Sequence, residues 1–117
     1  MVRFDPGQLR QVLWNLCENG FRHAHAPARV SIEAHIHPDS DRPYLDVTDN
    51  GDGLSEEHQQ HVFEPFFTTR SEGSGLGLYL ARELCESNQA TLNLMPTAAG
   101  ASFRISFMDP RRQGLAA

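Results

Sequence analysis

The 117-residue sequence has no apolar run approaching the roughly 20 residues that span a bilayer. Its opening stretch, Met1 to Gln11, also lacks the apolar segment of a secretory signal. Both absences predict a soluble, cytosolic piece. Concentrated positive charge is missing too. The net charge is -5, and the only dense basic pair is Arg111-Arg112 near the end, so nothing forms the basic stripe that nucleic acid demands. Cysteine is scarce. Cys17 and Cys85 lie far apart, with no metal-binding spacing, and each falls in an apolar helical pattern, which predicts two reduced core residues. Repeats and low-complexity tracts are absent. What remains is 39% hydrophobic residues, enough for one core, and seven prolines with nine glycines, which suggest several functional loops.

Hydrophobic spacing orders these residues into elements. Asp5-Pro6 is an N-cap followed by a first-turn proline. Leu9, Val12, Leu13, Leu16, Gly20 and Phe21 then recur at helical spacing. A helix is predicted over 6–24, stopped by Pro27. Val30, Ile32, Ala34 and Ile36 alternate with polar residues, so 29–37 reads as a strand. A second strand covers 44–49, and Ser55 opens a short helix to about Val62. The stretch 64–74 reads as a loop, 77–87 as a helix, and 91–95 and 102–108 as strands. This order predicts an α+β fold, a two-layer α/β sandwich with three helices on one face of a mixed sheet. One domain is expected over 1–108, with a loose tail over 109–117.

Three stretches stand out chemically. Asn15, Asn19 and Arg22 fall on one helix stripe beside the core stripe. Asparagine is a poor helix former, so two at mid-helix carry a local cost. Their amide oxygens suit Mg²⁺, and Arg22 suits phosphate. A plain solvated face remains the alternative. Next, Asp49-Asn50-Gly51-Asp52-Gly53 closes a strand with glycines that allow close approach. A carboxylate there could accept from an exocyclic amine such as that of adenine. A simple hairpin turn is the alternative, and the EF-hand calcium pattern fits poorly. Finally, Gly73-Ser74-Gly75-Leu76-Gly77-Leu78 runs into a helix, where freed backbone N–H groups cradle phosphate. It is neither the dinucleotide fingerprint nor a P-loop, and it has no strand just before it. A merely flexible loop is the alternative.

In this order and spacing the stretches resemble the GHKL superfamily, whose members bind ATP in a sandwich with a mobile lid. Asn15 to Arg22 resembles its N box, Asp49 to Gly53 its first glycine box, and Gly73 to Leu78 its second. Phe63-Glu64-Pro65-Phe66-Phe67-Thr68-Thr69 is similar to the F box of two-component sensor histidine kinases. Leu80 to Leu92 also resembles sensor kinases that regulate type IV pili. The resemblance implies roles. Asn19 holds the Mg²⁺ of bound ATP, Asn15 lines the phosphate site, Arg22 contacts phosphate and His23 borders the nucleotide. Asp49 accepts from the adenine amine, in a pocket shaped by Gly51 and Gly53. Arg70 reaches the terminal phosphate, so that Asn15 and Arg70 act on the transferred group. Gly73, Gly75, Leu76, Gly77 and Leu78 bind phosphate and anchor the lid. Phe63, Phe66 and Phe67 serve lid packing and docking on the phosphoacceptor domain, with ordinary core packing as the alternative.

The resemblance further implies a kinase rather than an ATPase. GHKL ATPases resemble one another in a glutamate base where Asn15 stands, and an amide accepts no proton at neutral pH. Glu18 is one position off that stripe, about 100° around the helix. Transfer would then rest on positioning and charge neutralisation, with an imidazole as the attacker. That imidazole is missing. His23, His25, His35, His37, His58 and His61 all lack the context of a phosphoacceptor box. The implied partners are therefore the phosphoacceptor and dimerisation domain of a parent kinase and a downstream response regulator. The piece itself is expected to be monomeric, with no nucleic-acid or direct membrane contact, while the parent is anchored in the inner membrane. A degenerate nucleotide sensor or docking module is the alternative. One departure stands out: Gly100-Ala101-Ser102-Phe103 carries its hydroxyl one position away from the family's usual place, on the opposite strand face, which implies weaker nucleotide affinity.

Overall fold

The computed structural model describes residues 4–67, 75–97 and 99–107. Its elements are α1 (Pro6–His23), β1 (Val30–Ile36), β2 (Pro43–Asp49), α2 (Glu56–Gln59), α3 (Gly77–Ser87), β3 (Thr91–Met95) and β4 (Ser102–Ser106). Helix α1 starts where the sequence predicts. The Asp5 carboxylate accepts from the Gln8 N–H at 2.8 Å, and Pro6 fills the first turn. Asn88, at the end of α3, clamps this start. Its Oδ1 accepts from the Asp5 N–H at 2.9 Å, and its amide donates to Gln8 Oε1 at 2.7 Å and to the Leu84 carbonyl at 2.8 Å. One side chain thus ties the ends of both long helices together.

The four strands form one sheet in the order β1-β2-β4-β3, and every pairing is antiparallel. The α+β fold and the helix layer stand, but the expected mixed sheet is corrected. The crossover from β2 through α2 and α3 does make β3 parallel to β2. However, β4 returns between them and is antiparallel to both. The expected helix to Val62 is corrected as well. Helix α2 is a single turn, capped by Ser55 Oγ accepting from the His58 N–H at 3.2 Å. The chain then turns through the His61 N–H to His58 carbonyl bond at 3.0 Å, which brings buried Val62 into the core.

The core lies between the sheet and the pair α1 and α3. Val12 and Leu16 of α1 meet Ala81 and Cys85 of α3 above Val47, Leu92, Phe103 and Ile105, all buried. Each fully buried Leu or Ile of this set contributes roughly 1.5–3 kcal/mol from removed apolar area. Strand β1 departs from this scheme. Its apolar residues share the helix-side face with Val47 and Leu45, since Ile32 pairs with Val47 and Ala34 with Leu45. Yet Ile32 and Ile36 are 51% and 68% exposed. Helix α1 sits over β2 and meets β1 at Val30, and α3 sits over β3, so the rest of β1 is left largely uncovered. On the opposite face, Arg104 of β4 makes a two-pronged bond to Asp46 of β2 at 2.8 and 3.0 Å and lies 4.0 Å over the Tyr44 ring. That hydrogen bond raises the Arg104 pKa and outweighs burial, which lowers it. Two stacked contacts across β2 and β4 thereby favour the observed register. Among the described residues, no helix is long and apolar enough to cross a membrane.

Candidate functional site

The site forms where the C-terminal half of α1 passes the end of β2. Gly20 lets the two approach: a Cβ there would sit 3.0 Å from Val30 and 3.5 Å from the Cβ of Asp49. With i+4 spacing, Asn15 and Asn19 lie one turn apart, and Arg22 adds the next position of the stripe. All three line one cavity with Glu18, His23, Asp49, Gly53, Leu54, Val62, Phe67, Gly75, Gly77, Leu78, Ala101 and Phe103. Three sequence stretches predicted as separate features therefore meet in one place.

Asp49 is the most constrained group. It is 6% exposed, and its Oδ1 accepts from the Gly51 N–H at 2.8 Å and from the Ala101 N–H at 3.3 Å. Its backbone N–H donates to the Ala101 carbonyl at 3.0 Å. No described residue donates to Oδ2. A buried carboxylate oxygen without a donor is costly, so the arrangement is suited to a ligand N–H. Gly51 itself does not line the cavity. It bridges to Ala24, and a Cβ there would overlap the His23 carbonyl. Gly53 takes φ +80° and stacks against Gly100, where a Cβ would meet the Gly100 carbonyl oxygen at 2.7 Å. Asn50 fixes the loop from outside. Its Oδ1 accepts from the Arg29 N–H at 3.0 Å, and its amide donates to the His25 and Pro27 carbonyls at 3.3 and 3.1 Å.

The phosphate side is built differently. Asn15 accepts from the Gln11 amide at 2.8 Å and donates to the Gly77 carbonyl at 3.2 Å, joining α1 to the start of α3. Asn19 makes no hydrogen bond to a described residue, which leaves its amide oxygen available to a hard cation. Arg22 is paired with Glu18 at 3.0 Å. Glu18, expected one position off the Asn15 and Asn19 stripe, lines the cavity as well. Positions three apart share a helix stripe, so Glu18 reaches the wall beside Asn15. Gly75 and Leu78 line the cavity, whereas Leu76 caps α3 outside it. Gly73 and Arg70 lie outside the described residues, as do Thr68 and Thr69.

The three phenylalanines take three different places. Phe63 packs edge-on against Phe103 at 5.9 Å, under Arg82 at 4.8 Å, as core. Phe67 lines the cavity and meets His58 and His61 edge-on at 5.5 and 6.0 Å. Phe66 is 74% exposed, while its N–H donates to the Gly75 carbonyl at 2.7 Å. Sequence reasoning missed the apolar walls Leu54, Val62 and Phe103. Core periodicity marks such residues as buried without saying that they border a cavity. The predicted strand flip at Ala101 is borne out. Ser102 Oγ bonds Thr48 Oγ1 at 2.8 Å on the far face, while Ala101 faces the cavity.

Comparison with known proteins agrees with this geometry. Residues 4–111 match the family described as histidine kinase-, DNA gyrase B-, and HSP90-like ATPase. The chain is 49% identical over 115 residues to the sensor protein kinase PilS of Pseudomonas aeruginosa, covering 95% of this chain and 22% of that protein. It is 32% identical over 93 residues to the sensor histidine kinase ZraS of Salmonella typhimurium, covering 80% and 20% respectively. The chain thus spans about a fifth of these relatives. The structure of the mycobacterial sensor histidine kinase MprB superposes with a TM-score of 0.81 at 25% identity, over 91% of this chain and 75% of that one. The chain belongs to the histidine kinase-, DNA gyrase B- and HSP90-like ATPase family, among the catalytic ATP-binding domains of sensor histidine kinases.

Proposed function

We propose that this domain binds Mg-ATP and donates the γ-phosphoryl group to a histidine on a separate phosphoacceptor and dimerisation domain of a cytoplasm-facing, membrane-anchored parent kinase. A response regulator would then receive the group. The observation that carries this reading is the buried Asp49, whose Oδ2 no described residue donates to, in one cavity with Asn15, Asn19 and Arg22. Asp49 selects a base that presents an amine. Phe103, Leu54 and Val62 supply apolar surface for its ring faces. Asn19 is the residue to hold Mg²⁺, which would supply charge neutralisation to the phosphates. All ten Lys and Arg positions are arginines, Arg22 is the one that lines the cavity, and Arg70 is the residue proposed to join it on the terminal phosphate.

Asn15 provides no carboxylate to act as a base for water. Asn15 is an amide already engaged at both ends, and the Glu18 carboxylate is engaged by Arg22. A positioned phosphoryl group with no water-activating carboxylate suits transfer to an external imidazole over hydrolysis. The test mixes the chain with ATP and the separately made phosphoacceptor domain of the parent. The account expects phosphohistidine in trans and no phosphorylation of the chain alone. ADP binding without any phosphohistidine would favour the alternative, a nucleotide-sensing or docking module.

A further inference from the structure

Four large apolar side chains lie exposed on one flank of the molecule, away from the nucleotide cavity. Trp14 and Phe21 of α1 are 65% and 55% exposed, and Ile32 and Ile36 of β1 are 51% and 68% exposed. Trp14 and Phe21 are seven residues apart, so they share one stripe of α1. Asn15 faces α3 through its bond to the Gly77 carbonyl, while Gly20 meets Val30 of β1. Helical rotation therefore puts Trp14 and Phe21 on the shoulder beyond Gly20, on the β1 side. That shoulder and the uncovered face of β1 form one open apolar corner.

The outer edge of β1 is open as well, since β1 ends the sheet. Its seven residues pair with β2 without a bulge and include no proline or lysine, the usual guards of an exposed edge. The Arg29 carbonyl accepts from the Asn50 N–H, and the His37 N–H donates to the Arg42 carbonyl. Odd-numbered positions along this stretch thus point their backbone groups at β2. Val30, Ile32, Ala34 and Ile36 turn theirs to the open edge.

We propose that this edge pairs with β1 of a second copy of the chain, antiparallel about a two-fold axis at Ala34. The sequence is self-complementary in that register. Ile32 lies opposite Ile36 of the second copy, Ala34 opposite Ala34, and, on the other face, Glu33 opposite His35. Each contact occurs twice, as a two-fold interface requires. Centring the axis on Glu33 would set two carboxylates against each other, which is unfavourable. Centring it on Ile32 would leave Ile36 unpaired. In the Ala34 register the two α1 helices, each over its own β2, stand three strand spacings apart, roughly 14 Å. Directly packed helices lie about 8–10 Å apart. Trp14 and Phe21 of both copies fill the difference, above the four isoleucines.

The interface is small, below roughly 1,200 Å², the range of weak and transient contacts, with half-association near about 100 µM. At micromolar concentration the chain is then the single copy expected from the sequence, with Ile36 exposed. Under the proposed function, a dimerising parent holds two copies at about millimolar effective concentration, where the pairing is populated.

The experiment is sedimentation velocity of the chain at about 5, 50 and 500 µM, with circular dichroism to establish that each variant is folded. The sedimenting mass is expected to rise from one chain toward two. Ile36→Lys should weaken association at least tenfold. His35→Glu, which opposes like charges twice, should do the same, and Glu33→Lys added to it should restore association to within threefold of the unaltered chain. A single-chain mass at the highest concentration would overturn the proposal and leave this corner to another segment of the parent. Association that is insensitive to His35→Glu, or a double variant as weak as His35→Glu alone, would overturn the strand register.

Discussion

Arg22 is held by Glu18 at 3.0 Å across one helical turn, in a pair that is half-exposed on the carboxylate side. Phosphate must compete with that carboxylate for the guanidinium. Exposed pairs of this kind are worth roughly 0.2–1 kcal/mol. Glu18→Gln should therefore tighten Mg-ADP by up to about fivefold, measured by titration. Weaker binding in the variant would mean that Glu18 positions Arg22 and does not compete for it. The residue scale also shows what a sequence reveals. The Asn15, Asn19 and Arg22 stripe is legible because helix geometry fixes side-chain direction from spacing alone. The partners of those side chains are not, since Gly77 lies 62 positions from Asn15 and only the packing of α3 on α1 brings them together.

Among the elements, β1 and β3 make the sharpest contrast. Both alternate apolar and polar residues, and both are edge strands of the same sheet. Leu92 of β3 is 1% exposed beneath α3, whereas Ile36 of β1 is 68% exposed. Leu92→Ala should cost about 2–5 kcal/mol, because a cavity adds to the lost transfer energy. Ile36→Ala should cost under about 0.5 kcal/mol, the usual range for a surface change. Denaturant titration of both variants checks this, and equal losses would show that β1 is covered in solution. Period-2 alternation correctly marked β1 as a strand. It could not say whether anything lies above a face, because that depends on where α1 and α3 land. For the same reason the crossover through α2 and α3 read as a mixed sheet, when β4 in fact inserts between β2 and β3.

For the whole molecule, the core joins both helices and three of the four strands, so its chemistry follows global unfolding. Burial pushes the Cys85 thiol up to about 12, and the neighbouring Glu86 charge adds to the effect. Burial also raises Cys17. The native state thus keeps the Cys85 proton where the unfolded state, with an ordinary thiol value near 9, gives it up. Its contribution is fully present below pH 9 and is lost as pH rises toward 12, at up to about 1.4 kcal/mol per pH unit. Stability measured between pH 8 and 10.5 should fall, and Cys85→Ala should flatten that slope. An unchanged slope in the variant would show that other groups govern alkaline unfolding.

The reading of this domain depends above all on one carboxylate. Asp49 lines the cavity and binds two backbone N–H groups through Oδ1, while no described residue donates to Oδ2, where the account places a nucleobase amine. The direct test is calorimetric titration with Mg-ADP of the parent and of Asp49→Asn, with circular dichroism to establish that both are folded. The account predicts micromolar binding by the parent and at least a hundredfold loss in the folded variant. A folded Asp49→Asn that binds Mg-ADP as tightly as the parent would contradict the assignment of this cavity as the base pocket.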